Sequence, residues 1–247
     1  MTTTPVGMRC PECSRERTPV RTMDSVRGGD PILTYVLIGI NVLMYFGSRS
    51  SAGTEADLVL AGFPVADGEL WRLVSGGFLH ANLIHIGFNM FLLYILGGML
   101  EPTLGKLRFG AIYFTSLLTG ALGAILLTSP DQGTVGASGA VFGLMGAGVV
   151  ILRARGIDPM QSGLGPTILI NLAISFILPG ISIGGHLGGL AGGLLTGWIV
   201  TVASQRRLSP AIAVAICAVI SVATVAASYL VAKAKVDSFT ALAALIV

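Results

Sequence analysis

The chain of 247 residues has only three histidines, and one of its serines stands among glycines at the head of a long apolar run. The serine is Ser138, within the stretch GASG at 136–139, and the histidines are His80, His85 and His186. A serine attacks a carbonyl group only when a neighbouring base removes its proton, and histidine is the side chain that most often does so. The first question is therefore whether a histidine can reach Ser138.

The composition places these residues in a membrane protein. Charged residues are 11% of the chain, against roughly 25% in ordinary soluble domains, and hydrophobic residues are 53%. The mean hydropathy is +0.83. A spanning helix needs about 20 mostly apolar residues, and the apolar runs predict seven such helices, at 31–47, 82–100, 109–128, 136–152, 165–178, 184–203 and 210–232. We predict an all-α fold, a polytopic transmembrane helix bundle.

The basic residues indicate which way the helices run. Lys and Arg concentrate before the first predicted span, between the second and third, and after the fourth and sixth, which all lie on one side. By the positive-inside rule that side is the cytoplasm. We therefore expect a cytoplasmic N-terminus and a location in the plasma (inner) membrane. Seven spans place the C-terminus outside, where Lys233 and Lys235 run against the rule, so the rule does not support a crossing by the seventh span.

The candidate residues share a predicted depth. The second, fourth and sixth spans all run from the outer side inwards, and His85, Ser138 and His186 each lie near the start of one of them. With a rise of about 1.5 Å per residue, all three lie in the outer half of the bilayer. Ionisable groups at membrane depth are costly and are functional candidates by default. The geometry therefore allows Ser138 to pair with His186.

Small residues recur at every fourth position on the two helices that carry this pair. They are Gly185, Gly189, Gly193 and Gly197 on the sixth span, and Gly139, Gly143 and Ala147 on the fourth. Such a stripe lets two helix backbones approach closely, which is the condition for the Ser138 hydroxyl to reach an imidazole on the neighbouring helix. The same stripe is common where helices only pack tightly, as in transporters and channels, so alone it does not indicate catalysis.

A Ser–His dyad without a carboxylate is the catalytic group that the sequence permits. Every carboxylate except Glu101 falls in a tail or a loop, and Glu101 lies at the inner end of the second span, far below Ser138. His186 would act first as a general base and then as a general acid. Phe142, one helical turn after Ser138, could stack against the His186 ring.

Donors for a developing oxyanion are also available. His85 and Asn89 stand at i and i+4 on one face of the second span and project toward the same site. The backbone N–H of Ser138 is a third donor, at the positive end of its helix dipole. His80 is open to two interpretations, an interfacial residue bonded to water or a member of the site.

Two other motifs carry less chemistry. Trp71 and Arg72 are most simply interpreted as an interfacial anchor. Cys10 and Cys13 have the spacing of half a zinc site, but tetrahedral zinc needs four ligands and the chain has no second pair or nearby histidine. We therefore predict neither a metal nor a cofactor.

Four stretches together resemble the rhomboid intramembrane serine proteases. They are LWRLVSGGFLH, HANLIHIGFNM, GASGAVFGLMG and GGHLGGLAGG, in the family's order and spacing, and the resemblance covers roughly residues 32–203. It implies that Ser138, between Gly136 and Gly139 in G-x-S-G, is the nucleophile and that His186 is the base. It also implies that His85 and Asn89 serve the oxyanion hole.

The resemblance implies further features of the fold. It implies a hydrophilic cavity open to the outer side, a first loop with Trp71 and Arg72 lying partly in the membrane, and a mobile fifth span that admits the substrate. Glu101 looks like the family's structural glutamate below that loop. The chain departs from the family in two respects. Phe142 stands where relatives often carry tyrosine, and the seventh span is an addition to the six-helix form.

These observations predict three segments and one activity. Residues 1–30 form a cytoplasmic tail, 31–205 a rhomboid-like core of six helices, and 206–247 an additional C-terminal helix with a short tail. The predicted protein is a serine endopeptidase that cleaves membrane-anchored proteins in or near their transmembrane segments. Its expected partners are transmembrane protein substrates and membrane lipids, with no nucleic acid.

Two functions of other classes remain as alternatives. A non-proteolytic scaffold or adaptor of the same fold would be favoured by a missing serine or histidine, and neither is missing. A small transporter would need ionisable residues through both halves of the bilayer, and the inner half has almost none.

Overall fold

The computed structural model describes residues 2–4, 7–9, 29–49, 52–178 and 180–244. It divides into two compact units, Met1–Asp30 and Pro31–Val247. In the first unit, strands β1 (Thr2–Thr4) and β2 (Gly7–Arg9) pair in antiparallel fashion. The cysteine pair at Cys10 and Cys13 lies outside the described residues, so the prediction about metal binding there stays a prediction.

The second unit is helical, which confirms the all-α prediction. Seven of its helices match the predicted spans. They are α1 (Ile32–Ser48), α5 (Leu83–Leu104), α6 (Lys106–Leu127), α7 (Ser138–Ala154), α8 (Leu164–Ile177), α9 (Ile183–Gln205) and α10 (Pro210–Ala244). Three short helices, α2 (Ala52–Leu58), α3 (Gly62–Ala66) and α4 (Arg72–Ser75), lie in the first loop with a 3-10 turn at Gly76–Phe78.

The helices make a multi-pass membrane protein, but they differ in length. Among the described residues, α5, α6, α9 and α10 are long and apolar enough to cross a membrane. Helices α1 and α7 are also apolar but have 17 residues each, and α8 has 14. At about 1.5 Å per residue these three are shorter than a hydrocarbon core of about 30 Å. The count of seven crossings therefore stays a prediction.

Helix α9 lies at the centre, packed against α6 on one side and α7 on the other. The predicted glycine stripe faces α7, because a Cβ added to Gly189 or Gly193 would overlap the carbonyl group of Gly139 or Gly143. A second stripe, which the sequence analysis did not single out, faces α6. It consists of Gly184, Gly188 and Gly192, which lie against the backbone of Gly123 and against Thr119. The two stripes let α9 approach both neighbours at backbone distance.

Helix α10 runs beside α6 in the same direction. Near the middle of α6, Thr115 Oγ1 donates a hydrogen bond to Cys217 O at 3.3 Å. At the C-terminal end of α6, Lys235 Nζ donates to three carbonyl oxygens, those of Ile125 (2.9 Å), Leu126 (3.0 Å) and Thr128 (2.7 Å). Since α6 is a candidate span, α10 traverses the same depth. The position of Lys235 thus reflects a contact with the end of a helix.

Candidate functional site

Ser138 is the first residue of α7, and the segment that leads to it is fixed to the first loop. Thr134 and Leu60 exchange two backbone hydrogen bonds, Leu60 N to Thr134 O at 3.3 Å and Thr134 N to Leu60 O at 2.7 Å. Gly136 N then donates to Gly76 O at 3.0 Å. The start of α7 is therefore held by backbone pairing rather than by the helix alone.

Gly136 brings His85 next to Ser138. Its φ is +127°, a conformation that residues with a side chain rarely adopt. A Cβ at this position would lie 2.8 Å from both Cε1 and Nε2 of His85, and 3.7 Å from Ser138 Oγ. Only glycine therefore leaves room for the imidazole of His85 at the entrance to α7.

The hydrogen bonds of His85 determine which ring nitrogen carries its proton. The backbone N–H of Ala81 donates to His85 Nδ1 at 3.4 Å, so Nδ1 is an acceptor and Nε2 carries the hydrogen in the neutral ring. Nε2 is one of the two ring atoms beside Gly136. His85 thus presents an N–H donor to the space next to Ser138.

Asn89 lies one turn below His85 and is buried. Its side-chain nitrogen Nδ2 donates to the backbone carbonyl of His85 at 2.9 Å. An amide NH2 has two hydrogens, so this bond leaves one of them for another acceptor. The predicted role of Asn89 in oxyanion binding stays a prediction.

His186 is in the first turn of α9 and is 7% exposed. Its ring stacks on Phe142, with the centroids 4.2 Å apart and the planes inclined by 22°. The predicted stacking is therefore present. Among the described residues no hydrogen bond joins Ser138 to His186, and Nδ1 of His186 instead lies 2.6 Å from Oγ of Ser175 on α8. Catalytic hydrogen bonds are often long in a protein without substrate.

The glycine contact between α7 and α9 lies beside Ser138 and His186. Gly139 follows Ser138 in the chain, and Gly185 precedes His186. A Cβ on Gly139 would lie 3.4 Å from the carbonyl oxygen of Gly185, so the two backbones touch beside the candidate residues. A wider separation would move Ser138 away from His186.

The N-terminus of α7 differs from those of α5 and α9, the two other predicted spans that start on the same predicted side. Asn82 caps α5 through a bond from His85 N at 2.9 Å, and Ser182 caps α9 through a bond from Gly185 N at 3.1 Å. No side chain of the described residues caps α7. The first N–H groups of α7 are therefore available to a negatively charged ligand atom.

The family model for the rhomboid domain matches residues 67–203, more than half of the chain. The chain belongs to the rhomboid family. It is similar to rhomboid protease GluP of Bacillus subtilis, with 32% identity over 176 residues that cover 68% of this chain and 34% of GluP. It is also similar to rhomboid protease GlpG of Haemophilus influenzae, with 30% identity over 179 residues that cover 68% of this chain and 90% of GlpG.

A third rhomboid relative comes from a eukaryote. Rhomboid-like protease 1 of Toxoplasma gondii is 33% identical over 168 residues, which cover 64% of this chain and 53% of that protein. The chain thus spans about a third of GluP, about half of the Toxoplasma protein and nine tenths of GlpG. All three relatives are named as proteases, which supports the protease class for this rhomboid protein.

His80 lies inside this rhomboid fold rather than at its surface. It is 3% exposed, and its ring meets that of His85 with the centroids 5.1 Å apart and the planes at 66°. Burial lowers the pKa of His80 to about 4, and the proximity of His85 adds to the effect. The ring contact with His85 favours the interpretation of His80 as a member of the site, which stays a prediction.

Trp71 and Arg72 organise the first loop. Trp71 is 56% exposed, as an interfacial anchor would be, but Arg72 is only 6% exposed. The Arg72 guanidinium pairs with Glu69 at 2.6 Å and donates to the carbonyl groups of Ala56 (2.6 Å) and Val59 (3.0 Å) at the end of α2. These contacts hold the loop together from inside, and the role of Trp71 and Arg72 as an interfacial anchor stays a prediction.

Glu101, predicted to have a structural role, caps the first turn of a helix. Its carboxylate accepts from the backbone N–H of Leu33 at 2.8 Å, and from both the N–H and the hydroxyl of Thr34 at 2.7 Å. These groups form the N-terminal turn of α1. Glu101 is 2% exposed, so this structural contact is internal.

The contact between Ser175 and His186 was not among the predictions from the sequence. It lies on α8 with Thr167 and Asn171 at intervals of four, which forms a polar stripe on an otherwise apolar helix. Polar residues on one face of an apolar span need partners in lipid. The polar stripe on α8 was the feature of the sequence that could have predicted a polar contact of this helix, and Ser175 of the stripe is the residue that contacts His186.

Proposed function

We propose that this rhomboid protein is an intramembrane serine endopeptidase with a Ser138–His186 dyad. The observation that carries the proposal is the position of His186. Its ring is stacked on Phe142, one turn after Ser138, where the backbones of α7 and α9 touch. This arrangement joins a serine at a helix N-terminus to an imidazole that packing holds in place.

The proposed reaction follows the acyl-enzyme route. Ser138 Oγ attacks the scissile carbonyl carbon while Nε2 of His186 accepts the hydroxyl proton. The resulting oxyanion is bound by the N–H of Ser138, by Nε2–H of His85 and by the remaining amide hydrogen of Asn89. His186 then gives its proton to the leaving amine, and a water molecule hydrolyses the ester by the same sequence of steps.

The proposed substrates are proteins anchored in the same membrane. Ser138 and His186 lie at the starts of α7 and α9, whereas Arg153 lies in the last turn of α7. By the positive-inside rule Arg153 is cytoplasmic, so the N-terminus is cytoplasmic and the site opens to the outer side of the plasma (inner) membrane. A substrate would then present its scissile bond in the outer half of the bilayer.

The test is active-site labelling together with cleavage. Wild type should react with a fluorophosphonate probe and cleave a reporter transmembrane substrate. Ser138→Ala and His186→Ala should each lose cleavage to about the same extent as the double variant, because a dyad acts as a unit. Ser129→Ala, a serine in the loop before α7, should retain both signals. Cleavage by purified, folded Ser138→Ala would overturn the proposal.

A further inference from the structure

Ser175 on α8 forms a hydrogen-bonded connection to His186 that the dyad mechanism does not use. Ser175 is 2% exposed and His186 is 7% exposed, so this bond is buried in the protein. Ser175 Oγ lies 2.6 Å from His186 Nδ1 and 2.7 Å from the carbonyl oxygen of Asn171. Both distances indicate hydrogen bonds, and the one to Nδ1 is shorter than is usual for an N–H donor.

Only one proton arrangement satisfies both bonds. A serine hydroxyl has one hydrogen, and a carbonyl oxygen can only accept. Ser175 must therefore donate to the carbonyl of Asn171 and accept from His186. His186 Nδ1 then carries the hydrogen, which leaves Nε2 of the neutral ring without a proton. Nε2 is the atom that the proposed base needs.

The stack on Phe142 cannot make this selection. Stacking fixes the plane of the imidazole, with the two rings inclined by 22°. A rotation of the ring by 180° about its bond to Cβ keeps that plane and still exchanges the nitrogen positions with carbon positions. The bond to Ser175 distinguishes the two orientations, because a carbon at that position could not serve as its partner.

We propose that Ser175 is the positioning residue of the dyad, and that it fixes both the ring orientation and the tautomer of His186. The inference rests on the proposed function, in which His186 is the base. Ser175 would orient the ring of His186, as the third group of a catalytic triad orients its histidine. Its hydroxyl is neutral, so it orients the ring without supplying a charge.

Two variants and a matched control test the inference in the full-length protein. Ser175→Ala should lower kcat by roughly 10- to 100-fold, the scale expected for a misplaced reacting group, with little change in KM. Ser175→Thr keeps the hydroxyl and should recover most of the loss. Ser228→Ala on α10 is the control, because Ser228 is also buried and also donates to a carbonyl four residues earlier, at 2.9 Å. Its kcat should equal that of wild type.

Nitrogen NMR of 15N-histidine-labelled protein provides a second measurement that needs no activity. The His186 signals, assigned by their loss in His186→Gln, should show a protonated Nδ1 and an unprotonated Nε2 at neutral pH. In Ser175→Ala the His186 signals should show a mixture of tautomers. The same spectra can be recorded for Ser138→Ala, so failure of the proposed protease function leaves this result readable.

Two results would overturn the inference. The first is a His186 tautomer that is unchanged in Ser175→Ala. The second is a loss of kcat in Ser175→Ala that Ser175→Thr does not recover although that variant unfolds at the wild-type temperature.

Discussion

Replacing Gly189 with alanine should separate α9 from α7 at the level of the dyad. The added Cβ would overlap the carbonyl oxygen of Gly139 and lie 2.7 Å from its carbonyl carbon, whereas ordinary contact begins at 3.4 Å. The backbones must therefore part by about 0.7 Å to relieve the carbon contact alone, and by more to relieve the oxygen contact. His186 is three residues from Gly189 and moves with it.

The displacement predicts a large effect on rate and a moderate one on stability. A shift of about 1 Å in a reacting group can lower the rate on the order of 100-fold. Overpacking of this kind lowers the free energy of unfolding by about 1–3 kcal/mol, offset in part by the gain of about 1 kcal/mol when alanine replaces a helical glycine. The assay is kcat for a reporter transmembrane substrate, with thermal unfolding measured in the same micelles.

Two glycines provide matched controls for position and for packing. Gly197 lies on the same stripe, and its Cβ would come 2.6 Å from Ala147 Cα, but it is eight residues further along α9, about 12 Å from Gly189. Gly148 faces away from α9, toward the flexible ends of Leu164 and Met99, so an added Cβ there requires only side-chain adjustment. Gly197→Ala should lose stability with less loss of kcat, and Gly148→Ala should change little.

Equal losses of kcat in Gly189→Ala and Gly197→Ala, in proportion to their losses of stability, would refute this reasoning. The glycine stripe would then hold the bundle together without positioning the dyad.

Three further predictions concern residues around the site and at the end of the bundle. His85→Ala and Asn89→Ala should each lower kcat by roughly 10- to 1000-fold with smaller effects on KM, since one oxyanion donor is typically worth about 10² to 10³ in rate. Full kcat in both variants would show that α5, the second span, does not bind the oxyanion. Burial holds the pKa of His80 at about 4, below its ordinary 6.5. Between these two pH values the unfolded chain binds a proton at His80 that the folded chain does not bind. The free energy of unfolding should therefore fall as the pH falls, on the order of 3 kcal/mol in total. Denaturation at a series of pH values should show a shallower slope in His80→Gln, and an unchanged slope would contradict the assignment. Lys235→Met should lower the free energy of unfolding by about 1–2 kcal/mol, because Lys235 caps the last carbonyls of α6. The same change at its exposed neighbour Lys233 should have little effect on stability. Equal effects at both positions would show that the cap does not stabilise the protein.

The sequence could predict the parts of the fold that depend on apolar period and on small residues. Ser138, Phe142 and His186 lie where the helix pattern places them, and the glycine stripe correctly indicated that α7 and α9 touch. Both signals are local, because each can be read within one helix. The order of the helices then brings the N-terminal ends of α7 and α9 together.

Three contacts that could not be predicted share a different feature, which is that most of their partners are backbone groups. Arg72 binds carbonyl groups at the end of α2, and Glu101 binds N–H groups at the start of α1. Lys235 binds carbonyls at the end of α6. Every residue carries the same backbone groups, so no residue type in the sequence marks them as partners. Only the fold shows which helix end each charge reaches.

Within the described residues, the N-terminus of α7 lacks the side-chain cap that two other predicted spans have. Among the three predicted spans that begin on the predicted outer side, α5 has Asn82 and α9 has Ser182 to accept from their first N–H groups, whereas α7 has no such side chain in the described part of the chain. Donors left open at a helix N-terminus lower stability, and the same donors attract negative charge. Ser138 stands at this end, with the N–H of His85 beside it. An oxyanion formed on attack by Ser138 would lie at this uncapped end of α7. The N–H groups that no described side chain caps would then be free to donate hydrogen bonds to it in the proposed reaction.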